Sequence, residues 1–196
     1  MRLYIWTALI LVIMSTGGFA QETESRSAVS EKPSSHEQVA VYRAVLNDYT
    51  KQSGGMALHV SNTTELLKPS GIDETCLKGI ELENPVASVP AIHWLDSSIL
   101  IDAKLVLVDP EQERMKIGEQ VINERKSATG NPPDASVAGM LSLSPIIFDK
   151  RRQHAIVSYA IYCGEHCGHG STLLLKKTDG GWNVEKSCGS WAALRR

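Results

Sequence analysis

The sequence carries none of the short signatures that identify common enzyme classes. There is no G-x-S-x-G elbow, no Walker phosphate loop and no G-x-G-x-x-G dinucleotide turn. The triad chemistry of α/β-hydrolases, P-loop phosphoryl transfer and Rossmann nicotinamide binding therefore lose their usual support. The His36-Glu37 pair opens an H-E-x-x-H zinc-protease pattern, but the second histidine would fall at Ala40. Asp and Glu are scattered, and their spacing fixes no pair at glycosidase separation. Charge of one sign is also lacking. The formal net charge is −2, and no basic run exceeds Lys150-Arg151-Arg152. That balance speaks against nucleic acid or an anionic membrane as partner, and such a triplet reads as a solvated loop tip.

One apolar run is present, and it stands at the N-terminus. Arg2 precedes twelve largely apolar residues at 3–14, followed by Ser15-Thr16-Gly17-Gly18-Phe19-Ala20. A charged start, a short apolar segment and small residues at Gly18 and Ala20 predict a signal peptide, residues 1–20, cut before Gln21. A retained anchor needs about 20 apolar residues, and the polar stretch after Met14 shortens this run. No cysteine follows it until Cys76, which argues against a lipid anchor. No second run approaches membrane length, so no membrane span is expected after cleavage, and the mature chain is expected to be exported, in the periplasm or secreted. Removing Arg2 takes the formal charge to −3.

Residues 21–35 are rich in Glu, Ser, Thr, Lys and Pro and predict a flexible linker, because such a segment buries too little to offset its ordering entropy. Residues 36–196 are expected to form a single domain, large enough to hold a core. Ser35 and Gln38 form a capping-box pattern, and Val39, Tyr42, Val45, Leu46 and Tyr49 recur behind it at helical spacing until Ser53-Gly54-Gly55. Residues 56–62 predict a strand with Met56, Leu58 and Val60 on one face, and Asn62-Thr63-Thr64 matches a glycosylation sequon. Prolines and glycines break 65–103 into short pieces with a helical turn near 92–99. There, His93, Trp94 and Asp96 read as a loop-rich cap with a half-buried aromatic, or else as a pocket lining. A short strand at 104–108 leads to Asp109-Pro110, an N-cap followed by proline at N1. The helix it opens should reach about Lys126, with Met115, Gly118 and Ile122 as a weak apolar face joined by Val121.

From Gly139 onward the pattern becomes strand and turn. Residues 140–148, 155–163, 171–178 and 181–188 predict a four-stranded antiparallel meander, its last hairpin turning at Asp179-Gly180. Alternation puts Trp182, Val184 and Cys188 on one face. Pairing Trp182 with Lys177 would set Cys188 opposite Ser171, so that Cys163, His166, Cys167, His169 and Cys188 gather at one end of the sheet. A one-residue slip would turn Cys188 to the other face.

The segment Cys163-Gly164-Glu165-His166-Cys167-Gly168-His169-Gly170 concentrates the chemistry of the chain. In an exported protein four cysteines favour disulfides, and Cys163 and Cys167 can close a tight turn with Cys76 and Cys188 as the second pair. The rival reading takes Cys163, His166, Cys167 and His169 as zinc or copper ligands, although C-x3-C-x-H is not a standard zinc spacing. Gly168-His169-Gly170-Ser171 could be a nucleophile loop, but no base can be placed beside it.

Leu141-Ser142-Leu143-Ser144 through Phe148, Ala155-Ile156-Val157, Cys163-Gly164, Cys167-Gly168-x-Gly170, Leu174-Leu175-Lys176-Lys177 and Gly181-Trp182-Asn183-Val184 together resemble the C-terminal end of uncharacterised secreted bacterial proteins. Tyr42-Arg43-Ala44-Val45-Leu46 adds a fainter likeness. The resemblance implies export and an α+β fold and transfers no catalytic residue. The expected architecture is α+β: an N-terminal helix and a small helical layer on an antiparallel sheet ending in the meander. The expected function is a non-catalytic envelope or secreted module that binds a protein or small-molecule ligand and needs no cofactor. A metal-binding protein or metal-dependent hydrolase using the 163–169 loop is the alternative.

Overall fold

The structure, a computed structural model, describes residues 35–54, 57–67, 72, 74–83, 92–126, 139–164 and 167–193. The signal peptide and nearly all of the linker expected from sequence lie outside these residues, as does His166. The chain is α+β, and its described residues form two helices and a mixed seven-stranded sheet. Helix α1 spans His36–Gln52 and α2 spans Pro110–Lys126. The strands are β1 (Leu58–Ser61), β2 (Leu105–Val108), β3 (Met140–Leu143), β4 (Ile147–Phe148), β5 (His154–Tyr162), β6 (Gly168–Thr178) and β7 (Gly181–Ala193).

Both helices begin where side chains satisfy their free backbone donors. At α1 the Gln38 backbone N–H donates to Ser35 Oγ, and the Ser35 N–H donates to Gln38 Oε1 at 2.7 Å. At α2 the Gln112 N–H donates to Asp109 Oδ1 at 2.9 Å.

The strand order is β2-β1-β3-β5-β6-β7, with β4 paired to β5. An all-antiparallel sheet is corrected here. Strand β1 runs parallel to both β2 and β3, because the long connections before β2 and through α2 return the chain in the same direction. From β3 through β7 the neighbours are antiparallel. The single strand expected at 140–148 is two strands. Pro145 has no N–H to give a ladder, and Ser144 bridges the break: its N–H donates to the Ser158 carbonyl and its hydroxyl accepts from the Ser158 N–H.

The centre of the sheet is buried on both faces. On one, Val41, Tyr42, Val45 and Leu46 of α1 pack with Leu143, Val157, Leu173, Leu175 and Trp182. On the other, Ile147, Ile156, Leu174 and Cys188 pack with Cys76 and Leu77 of the 3-10 turn Glu74–Leu77 and with Ile72, Ile80 and Leu82 on either side of it. Residues of β6 therefore alternate between two cores, Leu174 facing one and its neighbours Leu173 and Leu175 the other.

The register of β7 departs from simple alternation. Lys177 pairs with Trp182 and Leu175 with Val184, but Leu174 pairs with Lys186, Leu173 with Ser187 and Thr172 with Gly189. Two extra residues, Glu185 and Cys188, sit at bulges, so Ser171 lies opposite Ser190 and not Cys188. Cys188 consequently belongs to the second core, on the face opposite Trp182, and the shared face expected for the two is corrected.

Helix α2 also turns differently from expectation. Ile117 and Glu113 are buried, whereas Met115 and Ile122 are exposed. Its sheet-facing side is selected by polar partners, and hydrophobic spacing did not reveal it.

Trp182 is 8% exposed, its ring 5.8 Å from that of Phe148, with Lys177 Nζ over its face. Trp182→Ala should destabilise the protein by about 3–5 kcal/mol, the range of large aromatic truncations in cores, measured by urea unfolding. A loss under about 1 kcal/mol would place the ring at the surface.

Candidate functional site

The β5–β6 connection is closed by a disulfide between Cys163 and Cys167, whose Cα atoms lie 5.0 Å apart. The backbone turns tightly inside it. The Cys163 N–H donates to the Cys167 carbonyl and the Cys167 N–H to the Gly164 carbonyl. Gly164 has φ +117°, which disfavours any residue with a side chain. A Cβ at Gly164 would also stand 3.0 Å from Val121 Cγ2, so the turn rests against α2.

The glycines after the turn serve close approach. A Cβ on Gly168 would fall 2.8 Å from the Ile161 carbonyl oxygen. One on Gly170 would fall 2.5 Å from the Tyr159 carbonyl oxygen and 2.6 Å from Trp191 Nε1. Trp191, paired with Gly170 across β6 and β7, covers the two glycines and is still 39% exposed. On the opposite face His169 stacks on Tyr49 of α1, with centroids 6.3 Å apart, and meets Tyr159 edge-on at 6.5 Å. Burial pushes the phenols of Tyr49 and Tyr159 up, the first helped by Tyr159 and the second by Asp48. This end of the sheet therefore carries aromatic groups on both faces of one clamped turn.

The predicted gathering of five residues is only partly realised. Cys163, Cys167 and His169 share the turn. Cys188 is bonded to Cys76 in the second core, carried there by the bulge in β7. As ligands of zinc or copper, Cys163 and Cys167 would have to be thiolates, and here each sulfur is bonded to the other. Among the described residues no group of three His, Cys, Asp or Glu side chains is placed to hold a metal. The sequon residue Asn62 is drawn into the fold: its N–H donates to the Val108 carbonyl, its own carbonyl accepts from Leu95, and its side-chain oxygen is buried. His93 is buried, its Nε2 3.3 Å from the Tyr42 hydroxyl, while Trp94 is exposed. Burial pushes the Tyr42 phenol far up, so it stays protonated and donates to the Ser144 carbonyl.

A second constellation escaped the sequence reading. His59 of β1 holds Glu113 of α2 through Nδ1 at 2.5 Å, and Lys116 Nζ lies 3.4 Å from the other Glu113 oxygen. Beside it, Arg114, the next residue of α2, and the Ser142 hydroxyl both donate to Glu65 Oε1. Apart from the Lys116–Glu113 pair, three residues apart on the helix, these contacts join residues 49 to 77 apart, so no local pattern announces them. Trp191 was equally hidden, since its pairing with Gly170 becomes visible only after two bulges are counted. A polar concavity of about 240 Å³ lies at the β4–β5 turn, lined by Gly79, Glu81, Asp149, Lys150, Arg151, Gln153 and His154. Its charged groups are largely spoken for: Lys150 pairs with Glu81, and Asp149 accepts from the backbone N–H groups of Gln153 and His154.

No protein-family model, curated protein or solved structure matches the chain.

Burial alone would raise the Glu113 carboxyl. The hydrogen bond and charge of His59, then those of Lys116, outweigh it and hold the group below the ordinary carboxylate value. A depressed pKa contributes stability that is present above the unfolded value and is lost as pH falls through the folded one. Glu113→Gln should thus cost about 1–3 kcal/mol at pH 7, and the gap to wild type should close as pH falls below about 4. Urea midpoints for both proteins at pH 7 and pH 3 check this; a gap that stays constant would detach the effect from ionisation.

Proposed function

We propose that the chain is an exported, non-catalytic envelope or secreted module whose partner, a protein or a small ligand, docks on the disulfide-clamped end of the sheet. The observation that carries this reading is Trp191, an aromatic ring held against Gly168 and Gly170 yet 39% exposed. A ring already fixed in place loses little freedom on contact and offers a large apolar area, which is how binding hot spots are built. The neighbouring disulfide and the glycine-dependent turn keep the surface around it from rearranging.

Export is supported by the disulfides, which persist in oxidising compartments, by the N-terminal pattern at residues 1–20, and by the likeness to secreted bacterial proteins. Among the described residues no helix is long and apolar enough to cross a membrane. The four antiparallel strands β3, β5, β6 and β7 act as the meander platform of one domain at 36–196, and α1 and α2 form its helical layers. N-terminal sequencing of the released protein should begin at Gln21; an intact Met1 would refute cleavage.

The docking surface is tested by placing a photo-activatable phenylalanine analogue at position 191, with positions 151 and 185 as exposed controls. Irradiation of the producing cells, followed by intact-mass measurement, should give a discrete adduct at 191 and none at the controls. Equal labelling at all three positions, or none at 191, would refute the assignment.

A further inference from the structure

The two disulfides differ in a way that separates their roles. Cys76–Cys188 joins residues 112 apart, and its cysteines are 5% and 3% exposed inside the second core. Cys163–Cys167 joins residues 4 apart, and both cysteines are half-buried at a turn. Loop-closure entropy makes the long bridge worth about 3,000-fold in the folding equilibrium and the short one about 30-fold. Folding therefore depends about a hundred-fold more on the first bridge than on the second.

We propose that Cys163–Cys167 is a reversible thiol–disulfide exchange site, opened by a donor bearing two neighbouring thiols while the rest of the chain stays folded. The turn is held by more than sulfur. The Cys163 and Cys167 N–H groups donate inside the loop, at 3.3 and 3.1 Å, and the ladder resumes at once with Tyr162 opposite Gly168. Reduction leaves this framework in place, and the two thiols remain side by side.

The step balances as two successive displacements. A donor thiolate attacks one loop sulfur, forming a mixed disulfide and releasing the other loop sulfur as a thiolate. The second donor thiol then displaces the first loop sulfur, leaving the donor as a disulfide. Two electrons and two protons pass to Cys163 and Cys167. A donor with one thiol stalls after the first displacement, because the released loop thiolate sits beside the mixed disulfide and expels it. This confines productive donors to dithiols, whether small molecules or proteins with paired cysteines. The site does not depend on the docking surface at Trp191, and each can fail without the other.

The test titrates the native, oxidised protein with dithiothreitol, followed by alkylation, unreduced peptide mapping and near- and far-UV circular dichroism. Cys163 and Cys167 should become more than half alkylated at concentrations that leave about nine-tenths of Cys76–Cys188 bonded, with the near-UV change confined to loss of the loop disulfide's own band and the far-UV spectrum unchanged. Oxidised dithiothreitol should restore the loop bridge, and 2-mercaptoethanol at equal thiol concentration should open it at least ten-fold less. A double variant, Cys163→Ser with Cys167→Ser, should unfold within about 8 degrees of wild type, whereas Cys76→Ser with Cys188→Ser should fall more than twice as far. Opening of both bridges over one concentration range, a loop bridge that resists until urea is added, or equal opening by the monothiol would each overturn the proposal.

Discussion

The bond between Cys76 and Cys188 is the constraint from which the layered arrangement follows, because it fixes an irregular segment onto a sheet face that would otherwise lie open. Beyond the 3-10 turn Glu74–Leu77, the Glu83 N–H donates to the Phe148 carbonyl and the Lys150 N–H to the Glu81 carbonyl, tying the far end of the segment to the sheet. Its apolar residues Ile72, Leu77, Ile80 and Leu82 are partly buried and few. Held at Cys188, they cover Ile147, Ile156 and Leu174, and β6 can then be apolar on both sides at Leu173, Leu174 and Leu175. A strand buried on both faces must be interior, which leaves β7 to take the edge.

That edge position explains the bulges in β7. A thirteen-residue edge strand running straight would present a long ladder of unpaired backbone groups. The extra residues at Glu185 and Cys188 break the ladder and increase its twist. They also turn Cys188 toward Cys76 and bring Trp191 opposite Gly170. The same irregularity that protects the edge therefore makes the second core and the aromatic cover of the turn possible.

How far the sequence could be read follows the range of the interactions involved. The start of α1 was legible because its capping box lies within four residues, and so was the Asp109-Pro110 entry to α2. The Lys177–Trp182 pairing followed from the Asp179-Gly180 turn, whose geometry is local. Beyond that hairpin the register failed at Glu185 and Cys188, because a bulge leaves no mark in the alternation of so polar a stretch. The parallel pairing of β1 with β2 and β3 was hidden for a related reason: direction is set by crossover connections, and residues 65–103 have no periodicity. The face of α2 was misjudged at Met115 and Ile122 because its anchorage is Glu113 on His59 and Arg114 on Glu65. Hydrophobic spacing cannot report an interface made by charges.

The weak apolar attachment of α2 bears on the clamped turn. Apart from Ile117 and Val121, which meets Gly164 at the turn itself, the described contacts that hold the helix are polar. A turn leaning on so lightly greased a helix cannot rely on packing to keep its shape. The Cys163–Cys167 bond, the positive φ of Gly164 and the loop's own hydrogen bonds supply that rigidity locally. Rigidity generated within a few residues is also separable from the global fold, since its loss propagates only as far as its contacts reach. The Cys76–Cys188 bridge has the opposite character: its sulfurs lie within a core built from two distant parts of the chain. One covalent chemistry thus serves two mechanical purposes, set apart by sequence separation and burial.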